Sequence, residues 1–218
     1  KFLKKLIRMT PSYFDKAILL SVGTEATERA IKISRIYGES VSKGKSIIVG
    51  GEGNYHGKTL GAQMVGGQHA DKDWIGYLDP NMRHMPFPFP WELDNFDGDG
   101  KDMFYSHLKS LEEQGVDLTK ITAFFVESFQ GWGAIFYPVE YIKAMREWSL
   151  QNNTLLVFDE IQAGFGRTGK FFAYEHYDVN PDLVICGKGI SGSIPLSAVL
   201  GSSELIEFVP DRPGHDKH

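Results

Sequence analysis

Two apolar runs in this 218-residue chain each end in a charged side chain. Leu155-Leu156-Val157-Phe158 delivers Asp159, and Leu183-Val184-Ile185-Cys186-Gly187 delivers Lys188. Runs of this length and composition read as buried parallel strands. An acid leaving one such strand and an amine leaving the next can face each other across the mouth of a sheet, where α/β proteins bind ligands. At about 4 Å from a heterocyclic nitrogen, a carboxylate would favour its protonated form by roughly 4 kcal/mol at an effective dielectric near 20. Partial desolvation and nearby cations would favour a neutral Lys188 amine, the form that attacks an aldehyde. An acid for a ring nitrogen and an amine for an imine are the two groups that pyridoxal phosphate (PLP) chemistry requires. A lysine that only carries a strand end into water would read the same way until Asp159 is counted.

Three further segments could complete such a site. Val22-Gly23-Thr24-Glu25-Ala26 joins a strand to a helix, and a helix N-terminus with a glycine is a phosphate site, although a plain turn has the same pattern. Tyr55-His56-Gly57-Lys58-Thr59 offers a ring that could stack on a flat cofactor, or that could pack in the core beside a surface His56. After Asp159, Glu160 points the other way and reads as structural, while Gln162 comes back to the Asp159 side and could reach a phenolate oxygen. The seven histidines show no metal-ligand spacing, and His215 and His218 sit in a terminus without a closing element. No Gly-x-Ser-x-Gly elbow is present, and Gly164 to Gly169 lacks the lysine of a phosphate-binding P-loop.

These residues need a scaffold. Strands are expected at Ala17–Val22, Ser46–Val49, Ile121–Val126, Leu155–Asp159, Leu183–Gly187 and Leu196–Leu200. Helices are expected from an N-cap at Thr24 to a stop at Gly38, from Tyr55 through Met64, over Lys101–Gln114 and Val139–Asn152, and briefly from Ser202. Between Gly66 and Gly100 the chain is rich in Pro, Gly, Asp and aromatics and reads as a long ordered excursion. Within it, Met85 to Trp91 suits neither a regular helix nor a central strand. The alternation implies an α/β fold with a mostly parallel sheet flanked by helices.

Composition narrows the function classes. A net charge of −5 gives no basic footprint for nucleic acid, and no apolar run is long enough for a membrane helix. The single cysteine, Cys186, excludes an internal disulfide and fits a reducing, cytoplasmic compartment; its place in an apolar strand marks a buried structural thiol. Opening on Lys1 and ending at His218, the chain reads as part of a longer protein.

In this order, Gly23-Thr24-Glu25-Ala26, Tyr55-His56-Gly57-Lys58-Thr59, Glu127-Ser128-Phe129-Gln130-Gly131, Phe158 to Gly169, and Gly187-Lys188-Gly189 resemble the class III (omega-type) PLP-dependent aminotransferases of fold type I. The block from Asp159 to Gly169, with a lysine about thirty residues beyond Asp159, is the most specific part. The resemblance covers residues 1–218 as the PLP-binding large domain of a family member roughly twice as long, without an N-terminal segment and a C-terminal small domain. It implies Lys188 as the Schiff-base lysine and proton shuttle, Asp159 as partner of the pyridine nitrogen, and Gln162 at the ring hydroxyl. Gly23 and Thr24 would hold the phosphate, Tyr55 would stack on the ring with His56 beside it, and Glu127 would support the site. The implied reaction is ping-pong amino transfer from an amine or amino acid to a keto or aldehyde acceptor, by a homodimer with shared active sites. A racemase or epimerase of the same family, or a non-catalytic PLP-binding fragment, are the alternatives, and the chain taken alone is expected to be poorly stable and inactive. Trp132 stands where ornithine and 4-aminobutyrate enzymes typically have Glu, which argues against those specificities and places a large ring against the pocket.

Overall fold

The computed structural model describes residues 1–207; the expectations for His215 and His218 lie outside them. Seven strands form one sheet in the order β1-β7-β6-β5-β4-β2-β3. They are β1 (Lys16–Leu20), β2 (Ile47–Gly51), β3 (Met82–Met85), β4 (Ile121–Glu127), β5 (Leu155–Asp159), β6 (Leu183–Cys186) and β7 (Ser197–Gly201). Neighbours from β3 to β6 run parallel, and only β7 is reversed, pairing antiparallel with β6 and β1. Because β7 is flanked by two strands antiparallel to it, β1 points the same way as β6. The C-terminal ends of β1, β2, β4, β5 and β6 therefore open on one edge.

The central strands are apolar on both faces because helices cover both. Ala123, Phe125, Val157 and Ile185 pack with Ala26, Ala30 and Ile33 of α2 (Gly23–Val41). Phe124, Leu156 and Phe158 pack with Phe104 and Leu108 of α5 (Gly100–Glu113) and Tyr141, Met145 and Trp148 of α6 (Val139–Gln151). The remaining helices are short: α1 (Phe2–Arg8), α3 (Leu60–Val65), α4 (Pro90–Leu93) and α7 (Ser203–Ile206), the last capped by the Ser202 hydroxyl on the Leu205 N–H.

The structure corrects the sequence reading in four places. Helix α2 starts from Val22, not Thr24, with the Glu25 carboxylate accepting the Ser21 and Val22 N–H groups. It runs through Gly38 to Val41. Gly38 does not stop the helix; a Cβ there would lie 2.1 Å from the Lys45 carbonyl oxygen and 2.2 Å from Thr122 Oγ1, so glycine lets the helix lie flush on the sheet. Residues 55–59 are irregular, and α3 begins at Leu60. Inside the Gly66–Gly100 excursion, a 3-10 turn (His69–Ile75), the edge strand β3 and α4 are all regular. Met82–Met85 is a strand because it sits at the edge, where the Pro86 that follows removes no ladder hydrogen bond.

Candidate active site

At the open edge, the exits of five strands enclose a cavity of about 650 Å³. Every candidate residue from the sequence borders it: Gly23, Thr24, Tyr55, His56, Glu127, Asp159, Gln162 and Lys188. Parallel pairing does most of this work. β4 and β5 register Glu127 beside Asp159, and β5 and β6 register Asp159 beside Ile185, so Lys188 leaves the sheet one strand away.

Asp159 is buried and held from two sides. Its Oδ2 accepts the His56 Nδ1–H at 2.8 Å, and its Oδ1 accepts the Ile161 N–H at 2.9 Å. A carboxylate accepts up to about four hydrogen bonds, so capacity remains for a donor in the cavity. His56 is itself buried, contrary to a surface position, and 103 residues separate it from its partner. It borders the cavity and holds the Asp159 carboxylate from the inner side.

Lys188 occupies a left-handed backbone conformation (φ 39°), uncommon for any residue but glycine. It opens a 3-10 turn directly after β6, and its Nζ donates to Gln162 Oε1 at 2.8 Å. Lys188 is exposed, so the desolvation expected from its sequence position is not provided by the described residues. Gln162 reaches the cavity for a reason other than strand alternation. β5 ends at Asp159, and the turn that follows swings Gln162 inward, where its Nε2 donates to the Gly131 carbonyl at 3.2 Å.

Glu127 is buried at the inner wall. Its two oxygens accept the Tyr55 N–H at 3.0 Å and the Gly131 N–H at 3.3 Å, tying together two segments that frame the cavity. Burial lifts its pKa to about 7; His56 opposes the rise and the Asp159 charge adds to it. Tyr55 is 44% exposed with its ring available to a ligand. Glu160, on the other face of β5, takes the Ser128 hydroxyl and the Ala173 and Tyr174 N–H groups and is fully buried. Cys186 is buried, and burial drives its thiol pKa well up.

The cavity wall at the start of α2 is bare backbone. A Cβ on Gly23 would lie 2.8 Å from Ile161 Cδ1, and one on Gly57 (φ 128°) would lie 2.3 Å from Thr24 Oγ1. In the first turn of α2 the Glu25 N–H donates to the Val22 carbonyl at 3.0 Å, and the Gly23 and Thr24 N–H groups, which precede the first helical carbonyl, are left to an outside acceptor. The Thr24 hydroxyl meets Thr59 Oγ1 at 2.6 Å, and Thr59 in turn reaches Glu28, which also takes the Gly61 and Ala62 N–H groups. Glu28, Ile161 and Gln68 are contributors that sequence reasoning missed. Of these only Ile161 carried a signal, since strand alternation places it on the Asp159 side. A carboxylate, an amine and a bare helix start around one cavity form a donor set that fits PLP.

Comparison with known proteins bears on this geometry. The family model described as "Aminotransferase class-III" matches residues 1–215. An acetylornithine aminotransferase of Vibrio vulnificus is 34% identical over 208 residues, covering 94% of this chain and 46% of that protein. An alanine/serine racemase of Pyrococcus horikoshii is 33% identical, covering 94% of this chain and 44% of that protein. The crystal structure of an amine transaminase from an uncultivated Pseudomonas species, in PLP-bound form, superposes with a TM-score of 0.82 at 28% identity, over 94% of this chain and 47% of that one. The chain thus spans about half the length of the curated relatives it matches.

Proposed function

This chain belongs to the aminotransferase class-III family, and from that premise we propose that its protein is a PLP-dependent aminotransferase. It would move an amino group from an amine or amino acid to a keto or aldehyde acceptor in a ping-pong cycle. We read residues 1–218 as its cofactor-binding large domain. The observation that carries the proposal is one cavity receiving Lys188 and Asp159 from adjacent strand ends.

The chemistry that bound PLP supplies there is an aldehyde for nitrogen and an electron-withdrawing ring. Asp159, fixed by His56 and Ile161, would hold the ring nitrogen and favour its protonated form. The Gly23 and Thr24 N–H groups at the α2 start would hold the cofactor phosphate. Tyr55 and Gln162, both on the cavity wall, would hold the ring, Tyr55 by stacking and Gln162 by a hydrogen bond to its hydroxyl. Lys188 Nζ, free to leave Gln162 Oε1, carries the proton to and from the substrate carbon.

Exposed Trp74, Tyr77 and Leu78 form a large apolar stretch after α3. They support a homodimer in which a second copy covers this side and completes the shared site. The one cysteine supports a cytoplasmic location; no described helix is long and apolar enough to cross a membrane.

The racemase relative favours a second reading, because Lys188 and Asp159 would serve proton transfer alone equally well. Adding amines and amino acids to the PLP-loaded protein should convert the visible cofactor band and release one keto or aldehyde product per site. Lys188→Ala should abolish this. Loss of chirality without keto product would assign the racemase instead, and unchanged behaviour of Lys188→Ala would leave only a cofactor scaffold.

A further inference from the structure

Phe165 has a left-handed backbone (φ 61°), as Lys188 does (φ 39°). A bulky side chain in that region is an outlier, and glycine would hold the same turn without strain. What the chain retains against that strain is the ring. Its rear is anchored in the core. The Phe165 ring lies 5.4 Å from Phe171 at 68° and 5.9 Å from the fully buried Phe172 at 69°, and the Gly166 N–H donates to the Phe171 carbonyl at 3.2 Å.

Its front meets the turn that carries Lys188. A Cβ on Gly189 would lie 3.1 Å from Phe165 Cβ and 3.4 Å from both Cγ and Cδ2, so the ring rests on the backbone one residue after the lysine. One residue before it, a Cβ on Gly187 would lie 3.0 Å from Ile161 Cγ2 and 3.2 Å from Cγ1. Two side chains four residues apart after β5 therefore grip the chain on either side of Lys188. The hydrogen bonds of the turn itself, from the Ile190 N–H to the Gly187 carbonyl at 3.0 Å and from the Ser191 N–H to the Lys188 carbonyl at 3.3 Å, are internal to it and do not fix it against the sheet. Lys188 is exposed, so its own side chain adds no packing that could do so. Alignment of a reacting group is lost steeply with displacement, about a hundredfold in rate for 1 Å.

We propose that Phe165 is a positioning residue for Lys188: its ring, seated on Gly189, holds the turn so that Nζ projects into the cavity. This rests on the aminotransferase reading above. The probes are PLP and pyridoxine 5′-phosphate, each added to the cofactor-free protein. With PLP, Lys188 Nζ joins the aldehyde carbon, and the aldehyde oxygen leaves as water with the two amine protons. Pyridoxine 5′-phosphate carries an alcohol at that carbon and can bind only without the bond. Phe165→Gly relaxes the backbone and removes the ring; it should slow the visible PLP band about tenfold and leave the affinity for pyridoxine 5′-phosphate within about twofold. Phe165→Leu keeps Cβ, Cγ and a Cδ against Gly189 and should recover most of the rate. Gly189→Ala crowds the same contact from the other side and should slow the band about threefold, again without effect on the alcohol. With amine donors, Phe165→Gly should lower kcat about tenfold and leave KM within about twofold. A native band rate in Phe165→Gly, or equal losses for both probes, would overturn the positioning role. A native protein that forms the band but takes nitrogen from no amine would overturn the transfer reading and leave the role standing; one that forms no band would overturn both.

Discussion

Asp159 and Glu160 are chain neighbours, both buried carboxylates at the end of β5, yet they belong to regions of opposite character. The Glu160 side is closed. Three donors, from Ser128 just after β4 and from Ala173 and Tyr174, occupy its oxygens, and burial lifts its pKa to about 7. On the Asp159 side, two donors fix the carboxylate and a cavity of about 650 Å³ lies in front of it. Burial does not distinguish a structural acid from a chemical one. Spare accepting capacity turned toward open space does.

The contrast can be broken by exchange experiments. Asp159→Asn should cost the most activity, about a thousandfold in the amino-transfer half-reaction, since roughly 4 kcal/mol of ring-nitrogen stabilisation is withdrawn. Its melting temperature should move little. Glu160→Ala should do the reverse. Orphaning the Ser128 hydroxyl and two N–H groups should destabilise the fold by about 3–5 kcal/mol in urea titration, with activity per folded molecule retained. If Glu160→Ala instead silenced a folded protein, the two regions would not be separable.

A third substitution sharpens the boundary. His56→Phe keeps the volume and removes the donor to Asp159, and loss of an orienting partner of this kind is worth about 10–100-fold in rate. The smallest effect is in pH dependence. Glu127 and Glu160 have folded pKa values raised to about 7 from an ordinary 4.5. Between those values the native state binds more protons than the unfolded chain, so their contribution is complete below pH 4.5 and is lost as pH rises through 7. Urea midpoints at pH 5 and pH 8 should differ in that direction, and Glu160→Gln should shrink the difference.

Much of this was legible in the residues. β4, β5 and β6 are unbroken apolar runs, and such runs need cover on both faces whatever the rest of the chain does. Lys188 and Asp159 were readable because each interrupts such a run. The bond from His56 to Asp159 was not legible because its partner is on β5, a pairing decided by strand order rather than by local pattern. β3 was hidden for a related reason: four residues at a sheet edge carry little periodicity, and the prolines after them dominate the composition. Gly38 was misread because a glycine needed for helix-to-sheet proximity looks the same in sequence as one that ends a helix.

That glycine makes α2 a lever. Gly38 is its fulcrum, seated on the sheet, and Gly23 is its tip, fifteen residues or about 22 Å away on the cavity wall. A methyl group at position 38 would lift the helix off its seat, and a pivot of only a few degrees would carry the tip by about 1–2 Å, enough to cost about a hundredfold in a reaction that depends on alignment. The position in α2 least tolerant of an added carbon is therefore far from the cavity, and damage there would mimic damage to the cavity wall itself.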